Sequence, residues 1–150
     1  MNKIIVAAIC LFTVVIACKK NSNSTTDNLT LNTVNIAGKY RATDFYVTAS
    51  GIGYDIYDSV FNPACKKFSI NTFTSDGYYT YYDSCNKTTS VPSVYTVVSP
   101  NVLYYNGKQY IVQSLTSTQL VIGFDSLITL PQPYNTTLNA NFKLTLTKQP

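Results

Sequence analysis

Phe142-Lys143-Leu144-Thr145-Leu146-Thr147 is the stretch whose reading decides the fold. Apolar and polar residues alternate strictly. On an extended backbone Phe142, Leu144 and Leu146 share one face, and Lys143, Thr145 and Thr147 share the other. That is the pattern of an antiparallel strand with one face in a core and one in water. Such a strand needs partners, and the rest of the chain is composed to supply them. It holds 13 Tyr and 7 Phe among many Thr and Val, residues that suit a pleated, half-buried surface, with one Met and no Glu. No amphipathic helix is evident after residue 20.

Working back from that strand, residues 125–139 form a long connection containing Pro131 and Pro133. Before it, segment 119–124 is linked through Leu115-Thr116-Ser117-Thr118 to segment 108–114. Asn106-Gly107 joins the latter to 102–105 and is the strongest two-residue hairpin turn in the sequence. Segment 91–98 reads as a strand kinked at Pro92. Ser75-Asp76-Gly77 is a second hairpin signal, between 66–74 and 78–83, and 52–60 reads as a further strand. The first strand opens at Gly38-Lys39-Tyr40-Arg41-Ala42. Tyr40 and Ala42 share a face, but Phe45 and Val47 take the opposite parity, so a β-bulge is expected near Thr43-Asp44. Bulges bend strands as a closing barrel requires. Short strands joined by tight turns predict an all-β fold: an up-and-down antiparallel β-barrel, or its flattened sandwich form, of about eight strands. Closure pairs the last strand with the first and leaves no open edge.

The N-terminus carries an address. An apolar run over residues 4–14 follows Lys3 and ends in Val15-Ile16-Ala17-Cys18. Basic start, apolar core and small residue are the layout of a secretory signal. The run is too short for a mature spanning helix, which needs about 20 residues. Its last four residues resemble the bacterial lipobox. That resemblance implies a signal peptide over residues 1–17 and lipid attachment at Cys18, the protein's contact with the membrane. Residues 18–35, rich in Asn, Ser and Thr, read as an acylated flexible tether, which leaves 36–150 as the folded domain. Lys19 is not the Asp that retains some lipoproteins at the inner membrane, so the expected location is the cell envelope at the outer membrane, on either face.

Cys10 leaves with the signal and Cys18 takes lipid. Cys65 and Cys85 remain as an even pair in an exported chain, each ten residues from Ser75. A disulfide stapling the open end of that hairpin is expected. With no His in the chain there is no third or fourth ligand type for zinc, and neither metal nor cofactor is expected.

The net charge of +4 is small and dispersed, which argues against nucleic acid as a partner. Without His no Ser–His or Cys–His nucleophile can be built. Asp55 and Asp58 face opposite ways on a strand, and there is no calcium or phosphate loop motif, so catalysis is not expected. Tyrosine is the unusual resource. Tyr78 and Tyr82 occupy one face of their strand and Tyr79 and Tyr81 the other, and only one pair can face the core. Tyr40, Tyr78, Tyr82, Tyr95 and Tyr110 are candidate ligand contacts, each offering ring area and a hydroxyl to a sugar, peptide or lipid.

Three groups of residues in order carry a family likeness: Gly38-x-Tyr40; then Cys65, Asp76-Gly77-Tyr78 and Cys85; then Tyr110-Ile111-Val112-x-x-Leu115-Thr116 leading to Leu120-Val121-Ile122. Over residues 36–148 the chain resembles the small lipocalin-like domain common among lipoproteins of Bacteroidota. Gly38-x-Tyr40 is similar to the Gly-x-Trp opening of lipocalins, with Tyr40 in place of Trp. The resemblance implies a lipid-tethered β-barrel and supplies no known ligand. One functional reading is a binding module holding a small apolar molecule in its barrel. The other reading is a non-enzymatic interaction protein with a filled core and an external Tyr-rich face. A barrel of about eight strands can be either, since its interior is just wide enough for side chains or one small ligand. A saccharide is a further possible ligand, and the oligomeric state is left open. Asp58-Ser59-Val60 and Asp125-Ser126-Leu127 also resemble the Asp-Ser/Thr-aliphatic sites of O-glycosylation in the same phylum, which implies Ser59 and Ser126 as acceptors.

Overall fold

The computed structural model describes residues 27–129 and 137–150. The signal, Cys18 and residues 18–26 of the tether lie outside them. The described chain is all-β and barrel-like, built on antiparallel pairings. The long first strand β1 (Gly38–Ala49) pairs with the last, β11 (Thr137–Lys148), which pairs in turn with β10 (Gln119–Thr129). Beyond it lie β9 (Lys108–Leu115), β8 (Val102–Tyr105) and β7 (Thr96–Val98). On its other side β1 pairs near its start with β3 (Ile70–Phe73), which leads to β4 (Tyr78–Asp83) and β5 (Thr88–Thr89). The short β6 (Ser93–Val94) lies along β4, and only Tyr95 separates it from β7. Residues 93–98 therefore join the two ends of the sheet, and the pairings run in a ring.

The expected bulge is present. The β1–β11 register shifts between Ala42 and Asp44, so Tyr40 and Ala42 face inward below it and Val47 faces inward above it. Asn106 and Gly107 both have positive φ, the conformation a two-residue hairpin turn demands. Cys65 and Cys85 form a disulfide with Cα atoms 5.1 Å apart. Closing a loop of 20 residues by a cross-link is worth about 3 kcal/mol in the chain-entropy account.

Four segments differ from the sequence reading, each for a local reason. The second strand, β2 (Ile52–Asp55), is short and gives way to a helical turn, α1 (Tyr57–Val60). The Asp55 carboxylate accepts from the Tyr57 N–H at 2.9 Å and starts the turn, a side-chain bond that competes with the ladder. The segment around Cys65 is a 3-10 turn (Ala64–Phe68), so only Ile70–Phe73 is strand. The break in 91–98 falls at Tyr95, whose ring turns into the core while its N–H bonds Gly77 O. The connection 125–139 is shorter than expected, because β10 runs to Thr129 and β11 starts at Thr137.

The tether is a fifth difference. Residues 29–35, expected to hang free, pack with Ile36 across one end of the barrel. Leu29 N–H bonds Leu115 O at 2.7 Å, Leu31 is buried, and Asn32 caps a short helix, α0 (Thr33–Ile36), through its side chain. Ile36 is fully buried, and its carbonyl accepts from the Tyr40 hydroxyl at 2.9 Å. This segment is a floor. Next to it, Gly38 has φ +153, and a Cβ there would run into the Lys148 side chain. The Lys148 ammonium in turn lies 5.8 Å from the centre of the Tyr40 ring.

Candidate functional site

Away from the floor, a run of aromatic rings crosses the inside of the barrel. Tyr79 and Tyr105 centroids are 4.8 Å apart, and Tyr105 stacks on Tyr110 at 4.4 Å. Tyr110 meets Phe124 edge-on at 5.5 Å, and Phe124 stacks on Phe142 at 4.9 Å. Phe45 continues the run to Phe61, which packs on Tyr57 at 4.8 Å. These inward side chains come from β1, β4, β8, β9, β10 and β11, with Tyr57 of α1 and Phe61 just after it. Aromatic contacts of this kind add about 0.5–1.5 kcal/mol each beyond the area they bury. They pack against one another within the barrel. Two of the hollows in the described residues have linings that bear on binding.

The first is an apolar groove of about 600 Å³ on the inner face of the tall wall made by β1, β2, β10 and β11. Val47, Ala49, Ile52, Tyr54, Ile128 and Leu138 supply its surface. Register explains the convergence. Val47 lies opposite Tyr54 and Ala49 opposite Ile52, while Ile128 lies opposite Leu138, and all point to one face. Ile52 is 57% exposed and Tyr54 53% exposed, so apolar surface stands in water there.

The second is a cleft of about 420 Å³ between β4 and β8. Asn71, Tyr79, Tyr81, Tyr105 and Tyr110 face it from inside the barrel. Its lip is the segment after β5, fixed to β4 on both sides. Ser90 N–H bonds Tyr81 O at 2.8 Å, and Tyr81 N–H bonds Ser90 Oγ at 2.9 Å. The Tyr79 hydroxyl donates to Asn71 Oδ1 at 2.9 Å. Burial pushes the Tyr79, Tyr105 and Tyr110 phenols upward, so all three stay neutral and able to donate.

The structure separates the five tyrosines named from the sequence. Tyr40 and Tyr95 belong to the floor. Tyr40 bonds Ile36 O, and the Tyr95 hydroxyl donates to Thr74 O at 2.7 Å. Burial raises both phenols to about 12. Tyr78 and Tyr82 stand on the outer face, 46% and 37% exposed, because Phe73 pairs directly with Tyr79 and draws that parity into the core. Of the five, Tyr110 alone lines a hollow. Tyr79, Tyr81, Tyr105 and Asn71 were missed, since a strand aromatic on both faces carries no parity signal. Ser59 on α1 and Ser126 on β10 are both exposed, as a modified hydroxyl must be. Asp58, beside Ser59, pairs with Lys67 at 2.5 Å. Among the described residues no cluster of His, Cys, Asp or Glu could hold a metal ion, and no helix is long and apolar enough to cross a membrane. No protein-family model, curated protein or solved structure matches this chain.

Proposed function

We propose that this chain is a lipid-anchored cell-envelope protein, lipocalin-like in kind, whose domain binds a small apolar molecule in the groove of the tall wall, away from the floor. The observation that carries the ligand reading is the apolar groove of about 600 Å³. Small-molecule sites are concave, largely apolar and of about 300–1,000 Å³. Covering the exposed faces of Ile52 and Tyr54 would return about 25 cal/mol for each Å² taken from water. Such a ligand would lie on the tall wall, against Val47, Ile52, Tyr54 and Leu138. The anchor rests on Val15-Ile16-Ala17-Cys18, and the Cys65–Cys85 disulfide accords with export to an oxidising compartment.

Native mass spectrometry of the purified protein is expected to find a co-purified small molecule, and Ile52→Asp, at an exposed position, to lose it without loss of fold. A protein that carries nothing and fails to enhance the fluorescence of anilinonaphthalene sulfonate would refute the apolar site. The second reading would then stand: contact through the outer face of β4 and β6, where Tyr78, Tyr82 and Val94 are exposed. For the anchor, Cys18→Ala is expected to move the protein from the membrane fraction to the soluble one or to leave the precursor uncleaved. Normal processing with continued membrane attachment would argue against acylation at Cys18.

A further inference from the structure

We propose that the cleft between β4 and β8 is a separate site for a neutral saccharide ring. It lies in a different hollow from the apolar groove and has different chemistry. Its walls exclude the other ligand classes one at a time. Among the described residues none with a charged side chain lines it, so an ionic ligand would lose its water and gain no countercharge. A purely apolar ligand would press carbon against Asn71, Ser90, Ser93 and Asn106, stranding polar groups that water now serves.

A pyranose matches what is left. Its C–H face can lie on a tyrosine ring, and its rim of hydroxyls both donates and accepts. The cleft supplies both kinds of partner in fixed positions. The Tyr79 hydroxyl, donating to Asn71 Oδ1, holds the amide in one orientation and leaves Asn71 Nδ2 to donate and Tyr79 Oη to accept. Stacking of Tyr105 on Tyr110, 23° from parallel, holds the opposite wall. Ser90, bonded twice to Tyr81, holds the lip. Groups already immobile lose little entropy when a ligand arrives, so even a small, well-hydrated ring can be retained.

The test is saturation-transfer NMR on the full-length protein in a detergent without a sugar headgroup. The probes are methyl β-D-glucoside and N-acetyl-D-glucosamine, with p-cresol as an aromatic that lacks the hydroxyl rim. Transfer to the ring C–H protons of at least one sugar is expected. Asn71→Leu and Tyr79→Phe should each weaken that sugar by about tenfold, the loss of one well-made hydrogen bond or slightly more. Tyr78→Phe on the outer face and Ile52→Asp in the apolar groove should leave it unchanged, which separates this site from the other. Tyr79→Phe keeps its ring and its packing, so it decides the matter even where Asn71→Leu is poorly folded. No transfer to either sugar, affinities unchanged in Tyr79→Phe, or displacement of the sugars by p-cresol at lower concentration would overturn the proposal.

Discussion

Leu146→Asp is expected to abolish folding, while Lys143→Asp, on the same strand, leaves the melting temperature nearly unchanged. Leu146 is fully buried on β11 and lies between two inward partners, Ala42 on β1 and Leu120 on β10. Its burial is worth about 1.5–3 kcal/mol. An aspartate there forfeits that and places a carboxylate in the apolar cluster that holds Leu120 and Ile122. Isolated charges in such surroundings are too costly to persist, so the group either takes up a proton or unfolds the chain. Set against a total stability of about 5–15 kcal/mol for a domain of this size, the substitution removes a large share or all of it. Lys143 is exposed on the opposite face, so its replacement exchanges one solvated group for another. Circular dichroism melts of the two variants measure this. Equal midpoints would mean that the seam between the last and first strands is not where the core closes.

The same strand shows how much of the fold was legible. Strict alternation over 142–147 identifies the inward residues, and the parity change between Ala42 and Phe45 locates the bulge that lets β1 pair with β11. Asn106-Gly107 and Ser75-Asp76-Gly77 identify two turns from chemistry alone. What the pattern leaves unmarked is depth. Phe142 and Leu144 share Leu146's face yet are only half-buried, because they lie further from the floor. Nor can local pattern choose between Tyr78 with Tyr82 and Tyr79 with Tyr81, since a slip of one residue exchanges the two faces. The choice is made by Phe73 across the hairpin and by Tyr105 from a strand further along the chain. Both hollows have the same origin. The groove needs four strands in register and the cleft needs β3, β4, β8 and β9 together. Each is a product of long-range pairing, invisible to a window of a few residues.

Deleting residues 28–36 is expected to be as damaging as a core substitution, although 28–35 read by composition as a dispensable tether. The segment is polar at Asn28, Thr30, Asn32, Thr33 and Asn35, but Leu31 and Ile36 are buried and Leu29 packs against the core. Two buried aliphatic side chains contribute about 1.5–3 kcal/mol each. The deletion also takes away the Ile36 carbonyl that accepts from Tyr40 and the Leu29 N–H that satisfies Leu115 O. Tyr40 is itself fully buried, so its hydroxyl would then either lack a partner or draw water into the floor, at about 1–3 kcal/mol for the stranded group. The polar residues in the segment are not idle. Asn32 caps the helix through its side chain, and the Asn35 amide donates to Thr30 O at 2.7 Å, so they shape the turn that delivers Ile36. Ile36→Asp tests the floor by a single change and should fail alongside the deletion, whereas Val34→Asp, at a side chain 70% exposed in the same helix, should be tolerated. The readout is the yield and melting temperature of folded protein. A deletion variant that melts with the parent would make the segment a tether after all, and would leave the closed end of the barrel to be formed by Tyr40, Phe73 and Tyr95 without a cover.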